Sequence, residues 1–105
     1  MNTFDVHDLD SCDRVVYDNL PQEIFRGGVS NFSSSFIIAH LLGLDHVGHS
    51  RSTIDDPMMD VKMKEISKFL EQVFEEADEE TVFLVTGDHG MRGDGNHGGT
   101  SIDEV

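Results

Sequence analysis

At 105 residues the chain can form one small domain with a modest core. Its 37% hydrophobic and 27% charged residues exclude both compositional disorder and a membrane-like class. With 21 acidic against 7 basic residues the formal net charge is −14, which repels phosphate, excludes nucleic acid as a partner and leaves room for bound cations. Cys12 is the single cysteine, so neither an internal disulfide nor a cysteine-based zinc cluster is available. The first ten residues, MNTFDVHDLD, lack the apolar core of a signal peptide. The longest apolar stretch, Phe36 to Leu44, is broken by His40 and Gly43 and falls short of the ~18 residues a membrane span needs.

In chain order, Leu9, Cys12, Val16 and Leu20 recur at helical spacing, predicting a helix over Thr3 to Leu20 with Asp8 as N-cap and Pro21 as its stop. Gln22 to Ser34 reads as a loop, with Asn31-Phe32-Ser33 forming a glycosylation sequon. Ser35 to Leu42, SFIIAHLL, has the length and apolarity of a buried strand. The following LDHVGHSRST lacks apolar periodicity and reads as a loop. Asp56-Pro57 opens a second helix that runs to about Ala77, with Met59, Met63, Ile66, Leu70, Val73 and Ala77 as its core stripe. Thr81 to Thr86, TVFLVT, is a second strand, and a glycine-rich loop follows. Strand, helix and strand of these lengths form a crossover unit, so the fold class is α/β with the two strands parallel.

The chemistry concentrates in three glycine-flanked pieces. Asp45 and His49 stand four apart in LGLDHVGH, after the first strand; Asp88 and His89 stand in TGDHG, after the second; His97 follows in GNHGG. Open parallel sheets bind ligands at the carboxyl ends of their strands. Carboxylates and imidazoles are the ligands of catalytic zinc, and two such ions can clamp an in-line displacement at phosphorus. An isolated Asp-His pair after a strand is more often a turn; five candidate ligands in three segments make the metal reading the stronger one. His40 is expected in the strand core and His7 at the surface. His46 is kept as a contact to a ligand or to substrate, and Asp94 as a loop-holding carboxylate. The best calcium-loop match, Asp8 to Asp13, has Cys12 at a ligand position and Asp13 where glycine is needed, so it fails.

LGLDHVGH, VTGDHGM and GNHGG, in this order and spacing and preceded by FDVHDLDSCD, resemble the metal-binding motifs of the GPI ethanolamine phosphate transferases, members of the alkaline phosphatase superfamily. Together these pieces cover most of the chain. The resemblance implies an alkaline-phosphatase-like domain with a mainly parallel sheet flanked by helices. Residues 1–105 would be part of the catalytic domain of a larger membrane-anchored enzyme on the lumenal side of the endoplasmic reticulum. It implies two divalent metal ions, zinc foremost, with Asp45, His49 and His97 on one and Asp88 and His89 on the other. An upstream Asp and a nucleophilic Thr or Ser, absent here, would complete the second site. The implied partners are phosphatidylethanolamine, a GPI-precursor glycolipid whose mannose accepts phosphoethanolamine, and a small membrane subunit. DLDSCD and the second glycine of GNHGG look more like the type acting on the third mannose, whereas LGLDH leans to the second.

Two other readings stay open. A nucleotide phosphodiesterase-like hydrolase of the same superfamily shares the ligand logic, but its last metal histidine lies much further from the DHG motif. A noncatalytic binding module fits the lack of a matched nucleophile, since Thr100 and Ser101 lie in a tail with no base arranged beside them.

Overall fold

The computed structural model describes residues 5–26 and 36–104. The Asn31 sequon and residues 1–4 lie outside them. Three helices form in chain order, α1 (Ser11–Arg26), α2 (Gly43–Arg51) and α3 (Pro57–Glu76).

The first helix starts later and runs further than its apolar spacing predicts. Asp8 does act at the helix start: its Oδ1 accepts from Ser11 N at 2.9 Å and Asp10 N at 3.3 Å, so the helix begins one turn beyond it. Pro21 lies inside α1 instead of ending it. A proline there removes one backbone bond and crowds the carbonyl four residues back. Around that break, Asn19 Nδ2 donates to Val15 O at 2.7 Å and Gln22 Nε2 to Asp18 O at 2.8 Å, giving nearby carbonyls side-chain partners.

LDHVGHSR, read above as loop, is helical in α2. Two glycines and no apolar stripe hide it from periodicity. Its support is tertiary: Asp13 Oδ1 accepts from Leu42 N at 2.8 Å and from Gly43 N at 3.1 Å, so a residue of α1 caps α2. Asp45 in the first turn and His49 and Arg51 in the last also suit the helix dipole.

The start of α3 is as predicted, with Pro57 first and Asp56 Oδ1 accepting from Met58 N at 2.8 Å. Its buried face is rotated from the expected stripe: Lys62, Phe69 and Val73 are buried, while Met63 is exposed. Lys62 can occupy that face because its ammonium donates to Asp10 Oδ1 at 2.5 Å and to Glu65 at 3.3 Å. Burial alone would lower its pKa, but these two carboxylates outweigh it and hold it raised. Phe69 packs against Tyr17 of α1 with ring centres 4.5 Å apart and planes tilted by 47°, and α2 packs on α3. Among the described residues, Cys12, Val47, Phe69 and Val73 are the buried hydrophobic side chains.

The described part of the two strand-length runs, residues 36–42 and 81–86, forms neither helix nor ladder among the described residues. Phe36, Ile38, Val82 and Leu84 are exposed. His40, expected in a core, is exposed as well, because none of the described residues covers residues 36–40. The ends of the two runs nevertheless meet, with His40 Nε2 3.6 Å from Asp88 Oδ2. The Cα radius of gyration is 15.7 Å, against ~13 Å for a compact chain of this length.

Candidate metal centre

Two elements carry the site: α2 holds Asp45 and His49, and the loop from Asp88 to Gly99 holds His89 and His97. A glycine seam presses them together. A Cβ on Gly95 would lie 2.1 Å from Gly48 O, and one on Gly48 would lie 2.4 Å from Met91 Sδ. Gly95 also has φ +76°, in the left-handed region. The loop closes on itself through Gly95 N to Arg92 O at 2.8 Å and Arg92 N to Asn96 O at 2.9 Å. Asp94 holds it as expected, accepting from Asn96 N at 3.1 Å.

Across that seam, Asp45 Oδ1 stands 2.8 Å from His97 Nε2 and 3.4 Å from His49 Nε2, and the two Nε2 atoms are 2.9 Å apart. Asp45 Oδ1 is buried and accepts no hydrogen bond. A tetrahedral zinc with bonds near ~2.05 Å holds its ligand atoms roughly 3.3 Å apart, so this trio fits a metal in spacing and in donor type. The His49 and His97 Nε2 atoms also lie within hydrogen-bond distance of each other.

His89 joins from the same loop. Its ring stacks on His97 with centres 3.8 Å apart, and Asp45, His89 and His97 each offer a ligand atom within 4.8 Å of the others. His89 Nδ1 donates to Gly90 O at 2.9 Å, which leaves Nε2 with the lone pair a metal needs. Asp88 stands apart: it is exposed, and its Oδ2 is 3.7 Å from His89 Nε2. Burial pushes its carboxyl up, but backbone N–H groups and the His89 and His40 rings outweigh this and hold it below the usual range. The structure thus brings Asp45, His49 and His97 together as one set, adds His89 to them, and leaves Asp88 at the margin beside His40.

His46 is buried and points away, its Nδ1 donating to Asp8 O at 2.9 Å. It ties α2 to the start of α1. Ser101 also departs from expectation, because a carboxylate does stand beside it: Glu104 accepts from Ser101 Oγ, from Ser101 N at 3.1 Å and from Gly99 N at 3.2 Å. Those bonds, the Ser101 hydroxyl foremost, hold Glu104 below the usual carboxyl range, so it is a staple for the loop after His97 and a poor base. Asp13 entered the sequence reading only as a misfit in a calcium loop, and its role as a cap was missed. Its only signal was an acid inside an otherwise apolar-periodic helix start.

Residues 7–103 match the family described as type I phosphodiesterase / nucleotide pyrophosphatase. The chain belongs to that family. Among its curated relatives, "GPI ethanolamine phosphate transferase 3" of Schizosaccharomyces pombe is 37% identical over 105 residues, covering 99% of this chain and 10% of the relative. The protein of that name in Saccharomyces cerevisiae is 34% identical over 105 residues, covering 100% and 10%. "GPI ethanolamine phosphate transferase 2" of Yarrowia lipolytica is 43% identical over 69 residues, covering 66% and 8%. The chain thus spans about a tenth of the length of these relatives. No solved structure matches it. Types 2 and 3 of the transferase both occur among the relatives, so the preference for the third mannose is not resolved by them. Among the described residues, no helix is long and apolar enough to cross a membrane.

Proposed function

We propose that this type I phosphodiesterase-family chain is the metal-binding part of a transferase that moves phosphoethanolamine from phosphatidylethanolamine to a mannose of a GPI precursor. The observation that carries the reading is the convergence of Asp45, His49 and His97, with His89 stacked beside them, in a chain whose relatives bear that enzyme's name. The parent would be a larger enzyme of the endoplasmic-reticulum membrane, its catalytic domain in the lumen and a small membrane subunit beside it. In the parent, the two strand-length runs would pair into the parallel sheet of an alkaline-phosphatase-like domain. Support for this comes from their exposed apolar side chains and the meeting of their ends at His40 and Asp88.

Asp45, His49 and His97 would hold one divalent ion, zinc foremost. His89 and Asp88 would turn to a second ion, completed by residues of the parent. Such ions offset the charge that develops on a phosphoryl group in transfer. The chain's own part is to supply and fix the ligands: Gly90 O sets the His89 tautomer, and Glu104 braces the backbone after His97. The attacking hydroxyl would come from outside these residues, since Ser101 is bound to a carboxylate of lowered basicity.

The test is expression of the parent, with and without Asp45→Ala or His97→Ala, in cells deficient in this transfer, reading the mass of GPI headgroups. Gain of phosphoethanolamine with the intact protein and none with either variant is expected. Headgroups unchanged by the intact protein, together with metal-dependent cleavage of a soluble nucleotide diester, would replace this reading with the hydrolase of the same family.

A further inference from the structure

The metal ligands of α2 stand on a helix that has no side-chain cap of its own. Its first turn is held by a residue of another helix. Asp13 is only 1% exposed, and its carboxylate accepts from Leu42 N and, through both oxygens at 3.1 Å, from Gly43 N. The fit is close: a Cβ on Gly43 would lie 2.3 Å from Asp13 Oδ2 and 3.1 Å from Lys62 Cδ. Asp45 is two residues beyond this contact and His49 a further turn on. A buried carboxylate has few other solutions to its charge, so α2 cannot pivot about its N-terminus without stranding it. His46 fixes the same helix to Asp8 O on a second side, and Lys62 binds Asp10 between them.

We propose that Asp13 is a positioning residue for the metal centre: by clamping the first turn of α2 it sets where Asp45 and His49 stand against His97. This rests on the metal reading of the preceding subsection. The clamp acts on one half of the site, since His89 and His97 belong to the other loop. Losing it rotates or frays α2 and spoils the spacing of the two sets of ligands, whether or not the chain stays folded.

The test is titration of the 105-residue chain with Co2+, reading affinity and the visible ligand-field bands, with far-ultraviolet circular dichroism as the check on folding. Asp13→Ala is expected to keep its helical signal while affinity falls about tenfold or more, the usual effect of removing a ligand's support, and the bands change shape. Asp13→Asn, which keeps one acceptor oxygen, should fall between. Gly43→Ala, which pushes the carboxylate away without removing it, should also alter the bands. Should Asp13→Ala fail to fold, the Asn and Gly43 variants decide. Folded variants with wild-type affinity and unchanged bands, even if they melt earlier, overturn the proposal and leave the metal reading standing. A wild-type chain that binds no Co2+ overturns the metal reading itself, and the proposal with it.

Discussion

Asp45 Oδ1 is buried, without a hydrogen bond and facing two imidazoles. Asp45→Ala or His97→Ala should therefore abolish bound zinc, measured by atomic emission on the purified chain; retention of stoichiometric zinc in either would mean that the ligands lie elsewhere. His40→Gln should behave oppositely to a core substitution. The side chain is 65% exposed, so the unfolding free energy should change by no more than an ordinary surface substitution, about 0.5 kcal/mol, and a loss of several kcal/mol would place the residue in a core after all. Gly95→Ala combines two costs, a left-handed backbone worth about 1–2 kcal/mol and a Cβ 2.1 Å from Gly48 O, so it should weaken metal retention as well as stability. Acid sensitivity follows from two carboxylates at element ends. Hydrogen bonds from Ser11 lower the pKa of Asp8, and those from Ser101 and Gly99 lower that of Glu104. Because their folded values lie below the unfolded ones, the unfolded chain binds more protons in that window and stability rises with pH there. Their support is complete above the ordinary carboxyl values near ~4 and is lost as pH falls through the folded values. Glu104→Gln should flatten this acid limb in melts at stepped pH, and an identical limb would remove Glu104 from the account.

The helices differ in how they were legible, and the reason is where their support comes from. The α3 start was readable because Asp56-Pro57 carries its cap and its first-turn geometry in adjacent residues. Asp56→Ala should accordingly cost about 1 kcal/mol in chemical denaturation; no change would mean the Met58 bond is worth nothing net. The α2 helix was unreadable because its cap lies about thirty positions away in sequence, on Asp13, and no local pattern records a tertiary bond. Pro21 was read correctly as a helix breaker in general and wrongly as one here, since α1 accepts the proline's cost and continues. The stripe of α3 was offset because periodicity ranks lysine as solvent-facing, whereas Asp10 and Glu65 make a buried Lys62 affordable. Ligand chemistry flanked by glycines is a local signal, so Asp45, His49, Asp88, His89 and His97 stand out as candidates; the grouping of Asp45, His49 and His97 came with the family resemblance, and the stacking of His89 onto His97 depends on a loop path that residue types do not encode.

At the scale of the whole molecule, the buried apolar residues are few and the exposed ones many, with Phe36 91% and Val82 92% accessible. Two runs with exposed apolar side chains and no ladder among the described residues invite pairing with another copy. Light scattering across a concentration series should show self-association of the isolated chain, relieved by Ile38→Lys together with Leu84→Lys; a monomer at all concentrations would show that the charge of −14 suffices to keep copies apart. Zinc should raise the melting temperature at neutral pH and lose that effect as pH falls through the histidine range near ~6.5. Equal melts with and without zinc at both pH values, in a folded chain, would mean that no site assembles. The glycine seam between Gly48 and Gly95 adds a kinetic consequence. It joins residues far apart along the chain, and closing such a loop carries an entropy that grows as (3/2)RT ln n, before any contact rewards it. The α3 helix between them carries its own cap at Asp56, so it needs only local order and forms first, and the seam closes late. In rapid mixing from denaturant, helical signal should return in an early phase, with zinc capture lagging behind it at a rate set by closure and insensitive to metal concentration once that is high.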